Sequence, residues 1–94
     1  MYNNIKRKEM SAAEQKYFKK LGEKLRTLMR EKKLRQLDVA AEAGIAPGTM
    51  SNYLDGKRKL NSYKLAKILK AMSLSKEEIA SFSIEVFGEF EIED

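Results

Sequence analysis

The stretch from Gln36 to Asp55, QLDVAAEAGIAPGTMSNYLD, decides the fold. It reads as two short helices joined by a tight bend. The first runs from about Gln36 to Ala43 and stops at Gly44; the second starts at Pro47 and ends near Leu54, before Asp55-Gly56. Two short helices that cross steeply need a small residue where they touch, and Ala40 stands there. The bend needs a backbone tolerant of positive φ, which Gly44 provides without steric cost. The inner faces need apolar residues, and Val39, Ala43, Ile45, Met50 and Tyr53 fall at the required spacings. Pro47 does no harm at a first helical position, where its missing N–H would have lacked a partner anyway.

Any ordinary pair of helices in a small bundle satisfies one of these conditions. Satisfying all of them together marks a helix-turn-helix. Upstream, residues 1–10 (MYNNIKRKEM) have little apolar content and read as a flexible basic arm carrying Lys6, Arg7 and Lys8. Ser11-Ala12-Ala13-Glu14 is a capping box that opens a helix reaching about Lys32. Tyr17, Leu21, Leu25 and Leu28 recur along it at helical spacing, with Phe18 and Met29 beside them. Its other face is basic: Lys16, Lys19, Lys20, Lys24, Arg26 and Arg30.

Downstream, Lys57-Arg58-Lys59 form a basic loop. Asn61 caps a fourth helix with Leu65, Ile68, Leu69 and Met72 on one face, and Ser75-Lys76-Glu77-Glu78 opens a fifth as a second capping box. A domain over residues 11–80 is thus expected, followed by an acidic apolar tail over 81–94. Two periodicities compete in that tail. Phe82, Ile84, Val86, Phe90 and Ile92 alternate as in a strand. Ile79, Phe82, Val86 and Phe90 also fit a helix, in which Gly88 would cost roughly 1 kcal/mol against alanine. The alternation favours a β-strand beyond about residue 82.

A length of 94 residues fits one domain with a small core. The chain has no cysteine and no histidine, which removes disulfides, thiolate metal sites, the commonest zinc ligand and the commonest general acid/base. No glycine loop for phosphates is present, and adjacent Glu77 and Glu78 point different ways on a helix. The expectation is a non-enzyme with no cofactor and no metal. No apolar run approaches a membrane span and no signal-peptide pattern opens the chain, so a reducing cytoplasm is the expected setting. Charge is unevenly spread. Residues 1–35 carry twelve Lys/Arg and four acids, 36–79 carry seven and five, and 80–94 carry none and five. A basic front and an acidic end suit a polyanion approached from one side.

Residues 21–79, about 60% of the chain, resemble the Cro/repressor-type (XRE) helix-turn-helix family. The resemblance is carried by Gln36, the Val39-Ala40 pair, Gly44-Ile45, Ser51, and Gly56 followed by basic residues. The segment LNSYKLAKILKAMSLSKEEI is similar to the lambda-type phage repressor DNA-binding domain. The resemblance implies an all-α, compact five-helix domain that binds an operator as a dimer and represses transcription. It also implies a basic arm that wraps the duplex and a dimer formed through the fifth helix.

Position by position, Pro47, Gly48, Thr49 and Asn52 match the base-facing sites of the helix laid in the major groove. Asn52 is the strongest reader, because an amide pairs bidentately with adenine. Gln36 and Ser51 match phosphate-facing positions, and Lys57, Arg58 and Lys59 would grip the backbone. Lys6, Arg7 and Lys8 form a possible DNA-binding arm. Two departures stand out: Pro47-Gly48 replace long polar side chains, and Arg35 and Ala46 replace the usual serine caps. Blander uses exist for each site: a solvated helix start at Gln36, a solubilising loop at 57–59, an arm without a role.

Phe82, Ile84, Val86, Phe87, Phe90 and Ile92 are more apolar than a free acidic tail requires. They either pack on the chain's own core or seal a homodimer, and the dimer is favoured here, with paired strands as one geometry. The expected function is a sequence-specific double-stranded DNA-binding transcriptional regulator acting as a homodimeric repressor on a palindromic operator. The alternative is a protein-binding antitoxin or anti-activator that uses residues 80–94 and also binds its own operator. The chain could equally be one part of a longer regulator.

Overall fold

The structure is a computed structural model, and the residues it describes are 10–89, to Val86 for side chains. The order is α1 (Ala12–Glu31), α2 (Gln36–Ala43), α3 (Pro47–Leu54), α4 (Ser62–Ala71) and α5 (Lys76–Glu89). This is the expected all-α, five-helix architecture.

Local chemistry sets most of the boundaries. The Ser11 hydroxyl accepts from the Glu14 N–H at 3.1 Å, and the Glu14 carboxylate accepts from the Ser11 N–H at 2.9 Å. Ser75 and Glu78 repeat this exchange ahead of α5 at 3.1 and 2.9 Å. Asn61 accepts from the Lys64 N–H at 2.8 Å and starts α4. By contrast, Arg35 and Ala46 make no side-chain cap at the starts of α2 and α3.

Four helices end with a residue in the left-handed region, and in α1, α2 and α3 the amides of that residue and the next both bond carbonyls of the last turn. After α2 the residue is Gly44 (φ 71) and after α3 it is Gly56 (φ 74). After α1 and α4 it is Lys33 (φ 59) and Ser73 (φ 55), which carry a Cβ penalty that glycine avoids.

The core draws buried side chains from all five helices. Leu25, Met50, Leu54, Ile68 and Met72 are its largest fully buried side chains. α1 packs on α3, and α2 packs on both α3 and α4. Val39, Ala40, Ala43, Ile45, Met50 and Tyr53 are all buried, as the spacing of the two-helix stretch requires. Gly22 allows α1 to approach the end of α3, because a Cβ there would overlap the Leu54 carbonyl.

The described part of the stretch expected as a strand, residues 83–89, is helix instead. α5 continues to Glu89, past the boundary expected at residue 80, and no strand occurs among the described residues. Helical spacing wins because it brings Phe82 and Val86 together into the core, 5% and 3% exposed, while turning Ile84 outward at 73% exposed. A strand would have placed all three on one face. Gly88 sits one residue from the helix end, where fraying reduces its penalty. Lys32 reinforces α5 with a 3.0 Å ion pair to Glu78, and Lys24 lies 4.0 Å from Glu85.

Candidate nucleic-acid interface

The two-helix elbow presents α3 outward. Its inner side is anchored by Met50, Tyr53 and Leu54, all buried. Its outer side carries Pro47, Gly48 and Asn52, all exposed, with Thr49 half-buried between them. The space over Gly48 is open: no heavy atom lies within 4 Å of where its Cβ would be. The expected base-facing residues therefore share one accessible face.

α3 is held at its middle and at its C-terminal end. At the α2 side, Gln36 Nε2 donates to Ser51 Oγ at 2.9 Å, tying the start of α2 to the middle of α3. The bond leaves the Gln36 backbone amide at the uncapped start of α2 and fixes two residues expected to face phosphate. At the C-terminal end, Arg26 Nη1 of α1 donates to the Leu54 carbonyl at 3.2 Å and to Asp55 Oδ1 at 2.9 Å. Lys57 N–H donates to the Asn52 carbonyl and Gly56 N–H to the Tyr53 carbonyl, closing the helix. A side chain at Gly56 is barred by its positive φ and by Lys19 Cα, 2.6 Å from a Cβ there.

The basic loop does not act as one block. All three of its side chains are exposed, but each has different surroundings. Lys57 makes no ion pair with any described residue and borders a shallow hollow with Gln15, Lys19 and Asp55. The Arg58 guanidinium lies over the Tyr53 ring, 5.9 Å from its centre. Lys59 Nζ meets Glu14 Oε2 at 3.1 Å, which links the loop to the start of α1. An exposed ion pair of this kind is worth about 0–1 kcal/mol, so Lys59 can exchange Glu14 for a phosphate at little cost. The Ser11 amide, and then Lys59, hold the Glu14 carboxyl below its ordinary value; the Ser75 amide and Lys32 do the same for Glu78.

Other candidates are placed differently. Lys6, Arg7 and Lys8 lie outside the described residues. Of the expected interface residues, Phe82 and Val86 are core residues of the chain itself, so they offer no free apolar surface. Ile84 is exposed, Phe87 falls within α5, and Phe90 and Ile92 lie outside the described residues. Sequence reasoning missed the Arg26 clamp and the Gly22 contact. A glycine inside a long helix was the available signal for close backbone approach.

Among the described residues, no cluster of three or more acidic, histidine or cysteine side chains could hold a metal ion. No helix among them is long and apolar enough to cross a membrane. A short helix held at its middle and its C-terminal end, open on its far side and flanked by a basic loop, is the geometry of a duplex-DNA reader. A family model described as Helix-turn-helix domain matches residues 20–82, and the chain belongs to that family. The match is consistent with the Cro/repressor-type resemblance and makes DNA-binding regulation the class of activity. None of the curated proteins and none of the solved structures matches the chain.

Proposed function

We propose that the chain is a sequence-specific, double-stranded DNA-binding transcriptional repressor that acts as a homodimer on a palindromic operator. The observation that carries the reading is the outer face of α3. Gly48 leaves it open, and Thr49 and Asn52 stand on it with side chains that make no hydrogen bond to any described residue, while the Gln36–Ser51 bond holds the middle of α3 and the Arg26 clamp its C-terminal end. In this arrangement α3 enters the major groove, Asn52 reads a base edge, and Thr49 meets a neighbouring one. Gln36 and Lys57 bond phosphates on either side, and Arg58 and Lys59 add charge. Lys6, Arg7 and Lys8 extend the grip along the duplex.

The homodimer is supported by α5, which carries an exposed Ile84 on the side away from its core residues. A helix face is the seam that the lambda-type resemblance implies, and it replaces the paired strands expected from alternation. Two copies related by a two-fold axis then present two α3 helices to successive major grooves.

Selection from a pool of random duplexes tests the reading. The expected product is an inverted repeat with half-sites about 10–10.5 bp apart, or a multiple of that, bound with an affinity that falls steeply with salt. A pool in which no site is enriched overturns it.

A further inference from the structure

Glycine costs backbone entropy on folding, less in the terminal turn of a helix than in its middle, and each described glycine can be asked what its missing side chain serves. Three glycines of this chain have a reason inside the fold. At Gly22 a Cβ would strike the Leu54 carbonyl, and Gly44 and Gly56 adopt φ +71° and +74°. Gly48 has none. It lies in the first turn of α3, its φ is outside the left-handed region, and a Cβ would meet nothing within 4 Å. Nothing among the described residues prevents alanine there.

Packing among the described residues therefore gives no reason for glycine at this position. Gly48 is exposed on the outer face of α3, and Asn52 stands one turn further along the same face. The residues just before it, Ala46 and Pro47, carry no polar side chain. Together they form a low, featureless edge in which the backbone is the outermost surface. We infer that the duplex packs directly against the Gly48 backbone in the complex, so closely that a single Cβ there would hold the two apart. The inference rests on the DNA-binding reading above and assigns Gly48 a steric role in it. It also explains how a helix lacking long polar side chains at its first two positions can read bases: Thr49 and Asn52 are short, and they reach base edges only if α3 sits deep in the groove.

Adding one methyl group would displace the surfaces by roughly a C–C bond length, about 1.5 Å. The test compares Gly48→Ala and Gly48→Leu with the wild-type chain on the duplex that the wild type selects, alongside thermal melting of each free protein. The expected result has two opposed parts. Gly48→Ala does not lower Tm and raises it by at most roughly 4 °C, because it removes a glycine from the first turn of a helix. The same change weakens binding about tenfold or more, and Gly48→Leu weakens it further. A Gly48→Ala chain that binds as tightly as wild type overturns this inference alone. A lowered Tm also overturns it, because the glycine would then serve the fold. A wild-type chain that selects no duplex overturns both this inference and the reading beneath it.

Discussion

Arg26 sets the exit of α3 through two acceptors at once, the Leu54 carbonyl and the Asp55 carboxylate. A charge-assisted bond to a half-buried carbonyl outweighs a free surface pair, and the second acceptor keeps the guanidinium in place. Arg26→Ala is expected to lower stability by about 1–2 kcal/mol in a denaturant titration, since it leaves the last carbonyl of α3 without its partner. Gly22→Ala is expected to cost about 1–3 kcal/mol or more, because its Cβ meets backbone that cannot swing aside. Asn52 behaves in the opposite way. It is exposed, so Asn52→Ala is expected to leave stability within about 0.5 kcal/mol. The same variant is expected to lose about 1–3 kcal/mol of discrimination at one base position of the selected site, measured by competition between single-base variants. Equal discrimination by both proteins would remove Asn52 as a reader.

The helices show how element ends govern this small fold. Lys33 ends α1 at φ 59, where a side chain is strained, while Gly44 and Gly56 end α2 and α3 without strain. Lys33→Gly is expected to raise stability by about 0.5–1 kcal/mol in the same titration. The caps at Ser11, Asn61 and Ser75 were legible in the sequence because a capping residue acts on amides two or three positions away. The elbow was legible for a similar reason: Ala40, Gly44 and the buried set from Val39 to Tyr53 are constrained by contacts inside one short stretch. α5 was misread because strand and helix periods both accommodate Phe82 and Val86. Only Ile84 separates them, and which face it takes depends on α1 lying alongside. The division of labour within Lys57-Arg58-Lys59 was equally hidden, because it depends on Tyr53 and Glu14 arriving from other elements.

At the scale of the molecule, the acidic ends of two helices give the fold a pH dependence. Glu14 and Glu78 are held below their ordinary carboxyl value, so the folded state favours their ionised forms. Their contribution is complete above the ordinary value of 4.5 and is lost as pH falls from there through the lowered one. Tm is expected to drop below about pH 4.5, and Glu78→Gln, which keeps the capping geometry, is expected to flatten part of that drop. The proposed two-fold assembly makes its own demand: Ile84→Asp on the exposed side of α5 is expected to leave the monomer folded and to abolish the proposed dimer in sedimentation. The most direct test of the central claim is a titration of the isotopically labelled protein with its selected duplex, followed by NMR shifts residue by residue. The largest changes are expected at Gly48, Thr49, Ser51 and Asn52, with Gln36 and Lys57 next. Changes concentrated instead along the groove between α1 and α5, at Thr27, Glu31, Ser81 and Glu85, with α3 silent, would contradict it.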